Sequence, residues 1–358
     1  MLYRKYRPQT FDQVVGQEHV VTTLKGALSS GRVGHAYLFT GPRGTGKTTI
    51  ARVFAKSLNC LNYQPPKKVN VPCDDCDFCN AVRQGNSLDL IEIDAASNRG
   101  IDEIRNLKES ALVAAPGGKY KVFLIDEVHM LTKDAFNALL KILEEPPAHV
   151  VFILATTESH KILPTVLSRV QRFDFKKLTP KEIATKLKAI ARSEKINIGD
   201  ESLFAIAHSA DGALRDAEVS LTKLRASIEG DITPDQVISV LGLIPAKYYS
   251  EFFGYLALSD QAGALNFIHK LADSGIDLDN FSKELLHYLR KVLLSKVSPA
   301  TLASLGDMPD LEFSKLSMQI ENQKLVRMIT LFTSARSEIK NSPIPQLPLE
   351  LAILEILS

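Results

Sequence analysis

Short apolar runs alternate with segments of helical periodicity over the first half of the chain. Continuous apolar residues cover 36–39, 122–125 and 149–155, which is typical of strands buried on both faces. Between them, residues 49–58 carry apolar side chains at the spacing of an amphipathic helix. This alternation predicts an α/β domain with a parallel sheet over residues 1–178.

From residue 179 onward only the helical period remains. Thr179 is a good N-cap, with Pro180 at the first helical position and Glu182 three residues on. We interpret the first part of this region, residues 179–242, as a compact helical lid. Its predicted helices cover 181–192, 201–209, 214–228 and 234–241.

The last part of the chain, residues 243–358, also reads as helical throughout. Its clearest apolar stripes cover 252–256, 262–271, 281–294 and 325–339. Such stripes suit either an internal helical core or a surface that joins subunits.

Composition limits the number of domains and the kinds of partner, and adds little else. The 358 residues are 45% hydrophobic and 23% charged, enough for two or three domains with substantial cores. The net charge of +2 means that any nucleic-acid contact must come from a local patch or from partner subunits. Met1 leads into residues 2–7 without an apolar segment, and no run of about 18 apolar residues occurs. We therefore expect a cytoplasmic protein without a membrane span.

A phosphate-binding pattern follows the first apolar run. Residues 41–48 match G-x-x-x-x-G-K-[ST] in full, between a predicted strand and a predicted helix. The glycines allow backbone N–H groups to surround phosphates, Lys47 reaches the β and γ oxygens, and Thr48 ligates Mg²⁺. We predict a nucleoside triphosphate site formed by Gly41, Pro42, Arg43, Gly44, Thr45, Gly46, Lys47, Thr48 and Thr49.

Two acids end the second apolar run. Asp126 and Glu127 follow residues 122–125, at the strand end where ligands bind in open α/β sheets. Asp126 is predicted to join the Mg²⁺ shell, and Glu127 to polarise the water that attacks the γ-phosphate. The alternative for Glu127 is a surface acid at a strand end.

All four cysteines lie between these two motifs. Cys60, Cys73, Cys76 and Cys79 have the spacing C-x₁₂-C-x₂-C-x₂-C, with the last three in a turn-rich segment. Four thiolates can hold Zn²⁺ tetrahedrally without an open position, so we predict a structural zinc module at about residues 60–82. A redox role and free buried thiols remain as alternatives.

Two further polar positions follow the third apolar run. Thr157 lies just after the predicted strand 149–155, where it can hydrogen-bond the γ-phosphate or the water. Arg169 follows a short helical stretch, which suits an arginine finger that supplies charge to a transition state. The alternative for Arg169 is an ordinary surface arginine.

Together these motifs resemble the gamma/tau family of the bacterial DNA polymerase III clamp loader, whose members are AAA+ ATPases. The resemblance covers essentially the whole chain. It is carried by YRPQTF at 6–11, VVGQ at 14–17, the cysteine module, IEIDAAS at 91–97, LIDEVHML at 124–131, FNALLKILEEPP at 136–147 and GALRDA at 212–217.

The resemblance implies roles that spacing alone does not give. Thr157 corresponds to sensor 1, Arg215 to sensor 2 in the same chain, and Arg169 to a finger that reaches the ATP of the neighbouring subunit. Residues lining the base would include Arg7, Val14, Val15 and Leu214. The third domain corresponds to a collar that holds the subunits in a ring.

Two departures from the family pattern concern local detail. Val170 stands where the family usually has a cysteine after its serine-arginine pair. The interval between Cys60 and Cys73 is longer than expected, with residues 63–71 as an inserted loop. The chain also stops at Ser358, so we expect it to lack the long extension of the tau form.

The function that the resemblance implies is clamp loading driven by ATP. The expected partners are the other subunits of a hetero-pentameric ring, the sliding clamp and primed DNA, with ATP, Mg²⁺ and structural Zn²⁺ as cofactors. Arg99 and Lys133, near predicted helix N-termini, are candidates for phosphate contact or simply solvated charges. The alternatives are an AAA+ ring helicase or branch-migration motor, and a scaffold subunit that binds nucleotide without hydrolysis.

Overall fold

The computed structural model describes residues 1–65, 71–298 and 320–358. The chain forms two compact units, Met1–Val240 and Leu241–Ser358. The predicted three-part division at residues 178 and 242 stays a prediction. Residues 66–70 of the predicted inserted loop, and residues 299–319 of the predicted third domain, lie outside the described residues.

A five-stranded parallel sheet forms the centre of the first unit. Its order is β2-β3-β4-β1-β5, and every neighbouring pair runs parallel. The strands are β1 Ala36–Thr40, β2 Leu90–Asp94, β3 Lys121–Asp126, β4 Val150–Thr156 and β5 Gln171–Asp174. The predicted apolar strands correspond to β1, β3 and β4, which are adjacent, so their carboxyl ends lie side by side.

Both faces of this sheet are covered. Along β1 the side chains of Tyr37 and Phe39 pack on one face with α2 and α3, whose ranges are Glu18–Ser30 and Lys47–Leu58. Leu38 and its neighbour Ala36 pack on the opposite face with helices that precede and follow β3. Because alternate residues are buried on opposite sides, the strands are continuously apolar, and each large side chain contributes roughly 1.5–3 kcal/mol by burial.

The remaining helices around the sheet are short to medium in length. They are α1 Leu2–Lys5, α4 Asp77–Gln84, α5 Ile101–Leu112, α6 Lys133–Glu144 and α7 Pro164–Leu167.

The predicted lid helices are present in the same unit. They are α8 Pro180–Ser193, α9 Asp200–Ser209, α10 Leu214–Ser227 and α11 Pro234–Leu241. α8 begins with the predicted capping box, in which the Thr179 hydroxyl accepts from the Glu182 N–H and the Glu182 carboxylate accepts from the Thr179 N–H at 2.7 Å. This reciprocal pair fixes where the helix starts.

The second unit is helical throughout its described part. Its helices are α12 Ala246–Ala257, α13 Gln261–Asp273, α14 Leu278–Val297, α15 Asn322–Ile339 and α16 Leu347–Leu357. The ring of Phe252 lies at the centre of the core, with ring centroids 5.5 Å from Phe267, 5.6 Å from Phe281 and 5.9 Å from Phe332. The apolar stripes therefore form an internal core, while Val326 and Leu351 remain exposed.

Candidate nucleotide-binding site and cysteine cluster

The phosphate loop connects β1 directly to α3. Gly41, Gly44 and Gly46 all have positive φ, at 146°, 76° and 99°. A Cβ on Gly41 would lie 2.5 Å from the carbonyl oxygen of Phe175, and one on Gly44 would lie 2.8 Å from the Cβ of Ala213. Glycine is therefore required at both positions by backbone conformation and by close approach.

Lys47 is the first residue of α3 and is almost fully buried. Its Nζ donates to the carbonyl oxygens of Gly41 and Pro42 at 2.7 and 2.8 Å, inside the loop where phosphate oxygens would lie. Burial lowers the pKa of Lys47, against the opposing effect of the carboxylates of Glu127 and Asp126. The ammonium is thus satisfied by the loop itself, in bonds that a phosphate can replace.

The candidate magnesium ligands lie together. Thr48 Oγ1 donates to Asp126 Oδ2 at 2.9 Å, joining the first turn of α3 to the end of β3. A hydroxyl and a carboxylate beside a phosphate site are the hard oxygen ligands that Mg²⁺ takes, with water and phosphate completing its shell. The two residues fit the predicted role.

Glu127 and Thr157 are brought together from the ends of β3 and β4. Glu127 has φ 48°, and its Oε2 accepts from the Thr157 N–H at 3.2 Å and from Thr157 Oγ1 at 3.0 Å. His129 Nδ1 lies 3.4 Å from the same oxygen and 2.9 Å from Thr156 Oγ1. The predicted base is therefore held by the predicted sensor, and His129 is a neighbour that the sequence patterns did not indicate.

One cavity beside the loop collects residues from distant parts of the unit. Its lining includes predicted residues from four segments: Arg7, Val14, Val15, Arg43, Gly44, Thr45, Gly46, Lys47, Thr48, Thr49, Asp126, Glu127, Leu214 and Arg215. Apolar side chains near Val14 and Leu214 suit the face of a base, while the loop end suits phosphates.

The same cavity contains residues that sequence reasoning missed. Tyr3 lies beneath Arg215, whose guanidinium carbon is 4.9 Å from the ring centroid. Glu218, one turn after Arg215 on α10, is 6% exposed, and burial raises its pKa to about 7. Its position three residues after Arg215 was the available signal, because residues so spaced share one helix face. Tyr3 had no sequence signal.

Arg169 lies away from this cavity. It follows α7, and its guanidinium donates to Glu144 Oε1 at 2.7 Å and to the Thr165 carbonyl oxygen at 2.7 Å. Its side chain is 32% exposed. It does not line the cavity of its own chain.

The four cysteines form one cluster beyond the end of α3. All four are free thiols, and their sulfur atoms lie within 4.8 Å of one another. Cys73 Sγ and Cys79 Sγ are 3.9 Å apart, close to the roughly 3.8 Å expected between ligands of a tetrahedral Zn–S₄ site with 2.3 Å bonds. The cluster therefore fits a four-coordinate metal.

Local hydrogen bonds arrange these thiols. The backbone N–H of Cys73 donates to Cys60 Sγ, and that of Cys76 donates to Cys73 Sγ, each at 3.4 Å. Against the effect of burial, backbone N–H groups of Asp75 and Cys76 lower the pKa of the Cys73 thiol to about 7. Burial raises the pKa of the Cys60 and Cys79 thiols. A bound cation would offset that penalty, since metals bind the thiolate.

The two candidate DNA contacts lie where the sequence placed them. Lys133 is the first residue of α6, whose N-cap Thr132 accepts from the Ala135 N–H. Arg99 precedes α5 and its Nε donates to the Ala96 carbonyl oxygen at 2.9 Å. The carbonyl oxygen of Arg99 accepts from the Thr132 N–H at 3.1 Å, so the two helix starts are adjacent.

Comparison with known proteins places the chain in a family. Residues 16–179 match the family described as DNA polymerase III, delta subunit, and residues 232–358 match domain III of DNA polymerase III subunits gamma and tau. The chain is 35% identical to DNA polymerase III subunit gamma of Buchnera aphidicola, over 100% of this chain and 98% of that protein. This chain belongs to the DNA polymerase III gamma/tau family.

Other members of the gamma/tau family are longer. The tau subunit of Bacillus subtilis is 42% identical over 99% of this chain, and that of Escherichia coli is 38% identical over 100%. This chain spans 62% and 55% of those two proteins.

Solved structures agree on the fold. The RuvB Holliday junction branch migration motor of Thermotoga maritima superposes with a TM-score of 0.51 at 19% identity, over 77% of this chain and 88% of that one. The predicted α/β fold with following helices is thereby confirmed. Among the described residues, no helix has the length and apolar character needed to span a membrane.

Proposed function

We propose that this member of the gamma/tau family is an ATPase subunit of the bacterial replicative clamp loader. The observation that carries the proposal is the match over almost the whole length of a gamma subunit, and it is supported by a cavity that the phosphate loop, Asp126, Glu127 and Arg215 line. The subunit uses ATP to load the sliding clamp onto primed DNA, within a polymerase holoenzyme in the cytoplasm, and does not itself polymerise nucleotides.

ATP binding begins at the phosphate loop. Lys47 exchanges the Gly41 and Pro42 carbonyl oxygens for β and γ phosphate oxygens, which restores the charge partner that its burial lacks. Thr48 Oγ1 and Asp126 Oδ2 lie 2.9 Å apart and would hold Mg²⁺. When bound, the cation neutralises charge that develops on the phosphates. Arg7, Val14, Val15 and Leu214 line the base end.

Hydrolysis requires Glu127 to change partners. In this structure its Oε2 accepts two hydrogen bonds from Thr157, so the carboxylate is turned to the sensor. Release of Glu127 toward the attacking water makes it the general base and frees the Thr157 hydroxyl for the γ-phosphate. Turnover is therefore coupled to a local exchange of hydrogen bonds at the ends of β3 and β4.

Arg169 and Arg215 complete the charge around the transferred phosphoryl group. Arg215 acts in the same chain, from the first turn of α10. Arg169 acts on the ATP of a neighbouring subunit in a hetero-pentameric ring, after it exchanges Glu144 for phosphate. A finger supplied by a neighbour makes hydrolysis depend on the assembled ring, and the second unit is the collar that holds it.

The cysteine cluster has a structural role in this proposal. Four thiolates leave Zn²⁺ no open position, so the metal stabilises the segment between α3 and α4 and takes no part in hydrolysis.

The decisive test is the ATPase rate of the reconstituted complex with and without primed DNA and the clamp. Strong stimulation that needs both supports clamp loading. Strand unwinding or translocation by this chain alone supports a ring helicase, and ATP binding without turnover under all conditions supports a scaffold subunit; either contradicts the proposal.

A mixing experiment tests the finger. Complexes are assembled from Arg169→Ala chains and Lys47→Ala chains in varied ratios. If Arg169 acts between subunits, mixtures retain activity at the interfaces that combine an intact finger with an intact loop, and each variant alone is inactive. Full activity of pure Arg169→Ala complexes would remove the assignment.

A further inference from the structure

A second cavity lies beside the nucleotide cavity and is lined by cations. Its volume is about 440 Å³, within the roughly 300–1,000 Å³ typical of small-molecule sites. Among the described residues, six positive side chains line it and no carboxylate does. They are Arg4, Arg7, Arg52, Lys56, Arg83 and Arg215.

Four separate segments supply these charges. Arg52 and Lys56 lie one turn apart on the same face of α3, and Arg83 lies on α4. The N-terminal segment adds Arg4 and Arg7, and α10 adds Arg215. Convergence from distant segments makes the cluster a feature of the folded unit, unlike a charged run that is merely solvated.

Carboxylates outside the cavity compensate only some of this charge. Arg52 pairs with Glu92 at 2.6 Å, while Lys56 pairs with Asp74, which also lies 3.9 Å from Arg83. In the described part of the chain, Arg4, Arg7 and Arg215 have no carboxylate within ion-pair distance. At least three guanidinium groups around one cavity therefore lack a direct counter-charge.

Two further observations indicate a built site. Lys56 is 1% exposed and its Nζ also donates to Gln9 Oε1 at 3.2 Å, so this side of the cavity is fixed. Arg7 is more than half buried, and burial together with the neighbouring charges of Arg52 and Arg215 lowers its pKa. The positive charges of Lys56 and Arg7 thus lie where solvent screening is reduced, while Arg4 and Arg83 are exposed.

We infer that this cavity binds a small anion carrying at least two phosphate groups, and that the bound anion weakens ATP binding next to it. Guanidinium groups hold phosphate oxygens in bidentate pairs, and three unpaired arginines supply enough donors for two phosphates. A cavity of this size suits a diphosphate better than a duplex backbone.

The coupling follows from a shared wall. Tyr3, Arg7, Pro8 and Arg215 line both cavities. An anion that engages Arg7 and Arg215 from one side withdraws positive charge from the nucleotide side, so each ligand lowers the affinity of the other by the same factor. The coupling to ATP binding rests on the proposed nucleotide site, whereas binding of the anion does not.

Titration calorimetry with inorganic pyrophosphate tests the site on the full chain. The Lys47→Ala background removes binding at the phosphate loop. In that background about one equivalent of pyrophosphate should still bind, in the second cavity. Adding Arg4→Gln and Arg83→Gln should weaken it at least tenfold, and Arg4→Lys with Arg83→Lys should restore part of it. The matched control is Arg32→Gln, an exposed arginine outside both cavities, which should leave binding unchanged.

The coupling is measured separately. Pyrophosphate competes at the phosphate loop equally in the wild type and in Arg4→Gln/Arg83→Gln, so any additional weakening of ATP affinity in the wild type reports the second site. A several-fold difference is expected. Equal competition in both proteins overturns the coupling, and loss of all pyrophosphate binding in Lys47→Ala overturns the site. In either case, if Arg4→Gln/Arg83→Gln binds ATP as tightly as the wild type when pyrophosphate is absent, the proposed function stands.

Discussion

The phosphate loop and the cysteine cluster lie at opposite ends of α3 and are organised in different ways. The loop owes its shape to backbone conformation: three glycines with positive φ and a lysine that donates to carbonyl oxygens of the loop itself. The cysteine cluster has two buried thiols, Cys60 and Cys79, whose pKa values are raised by burial. The loop is shaped without its ligand, while a bound cation would offset the cost of ionising the two buried thiols.

This contrast separates activity from stability. Changes at the phosphate loop or at Glu127 should alter turnover with little effect on folding, and changes at the cysteine cluster should alter folding with little effect on nucleotide chemistry.

The largest expected effect is on turnover. Glu127→Gln should reduce the steady-state ATPase rate of the assembled complex by at least about 100-fold, because an amide cannot accept the proton of the attacking water. ATP binding by calorimetry and metal content should stay at wild-type values. The control is Glu103→Gln, an exposed acid on α5, which should keep full activity. Unchanged turnover in Glu127→Gln would refute the base assignment.

Removal of the metal is expected to act mainly on stability. Cys79→Ser should lose about one equivalent of zinc per chain and lower the Tm by at least about 5 °C, since binding and folding of the segment are coupled. ATP affinity should stay within a factor of about three. Asp75→Asn, an exposed neighbour that is not a ligand, should keep its zinc. If Cys79→Ser has the Tm of the wild type, and the purified wild type contains no metal, the cluster is not a zinc site.

Glu218 tests whether a buried carboxyl group in the nucleotide cavity lowers the free energy of unfolding when it ionises. Its pKa is raised from 4.5 to about 7, so the folded state disfavours the ionised form, and stability falls as pH rises from about 4.5 to about 7. Glu218→Gln should therefore gain free energy of unfolding relative to wild type by up to about 3 kcal/mol at pH 8, with little gain at pH 4.5. Denaturant titrations across this range measure it. The same gain in the exposed control Glu201→Gln, or no pH dependence, would contradict burial of Glu218 as the cause.

The smallest effect concerns a helix start outside both sites. Thr179→Ala should lower the free energy of unfolding by about 1 kcal/mol, because the capping box of α8 loses its hydroxyl acceptor. ATPase activity and zinc content should not change. Thr185→Ala, on the exposed face of α8, should stay within about 0.5 kcal/mol of wild type. Equal losses in both variants would show that the capping box contributes nothing beyond an ordinary surface threonine.

Most of the framework was predictable because it depends on short-range patterns. The apolar runs that became β1, β3 and β4 are buried on both faces, and the capping box at Thr179 marked the start of α8 correctly. β5 was missed because its residues QRFD lie at a sheet edge with exposed side chains and no apolar pattern. Strand burial, rather than strand propensity, was the signal that succeeded.

The candidate site divides in the same way. The loop residues lie within one motif and Asp126 with Glu127 within another, each at the carboxyl end of a predicted strand, so their meeting could be anticipated. Tyr3 and Glu218 reach the cavity from segments more than 200 residues apart in the chain, and only the fold brings them together. The roles of Thr157 and Arg169 stay predictions, the first because its partner in the structure is Glu127 and the second because its target would be another chain.

The helix α3 connects the two sites through a rigid element. It spans 12 residues, or about 18 Å, from the lysine of the loop to a point two residues before Cys60. A spectroscopically visible cation such as Co²⁺ in the cysteine cluster would consequently lie at the C-terminal end of α3, whose N-terminal end is the proposed phosphate site. The absorption of that cation would report whether the cysteine cluster is occupied while the complex hydrolyses ATP, with no dye attached and no side chain replaced.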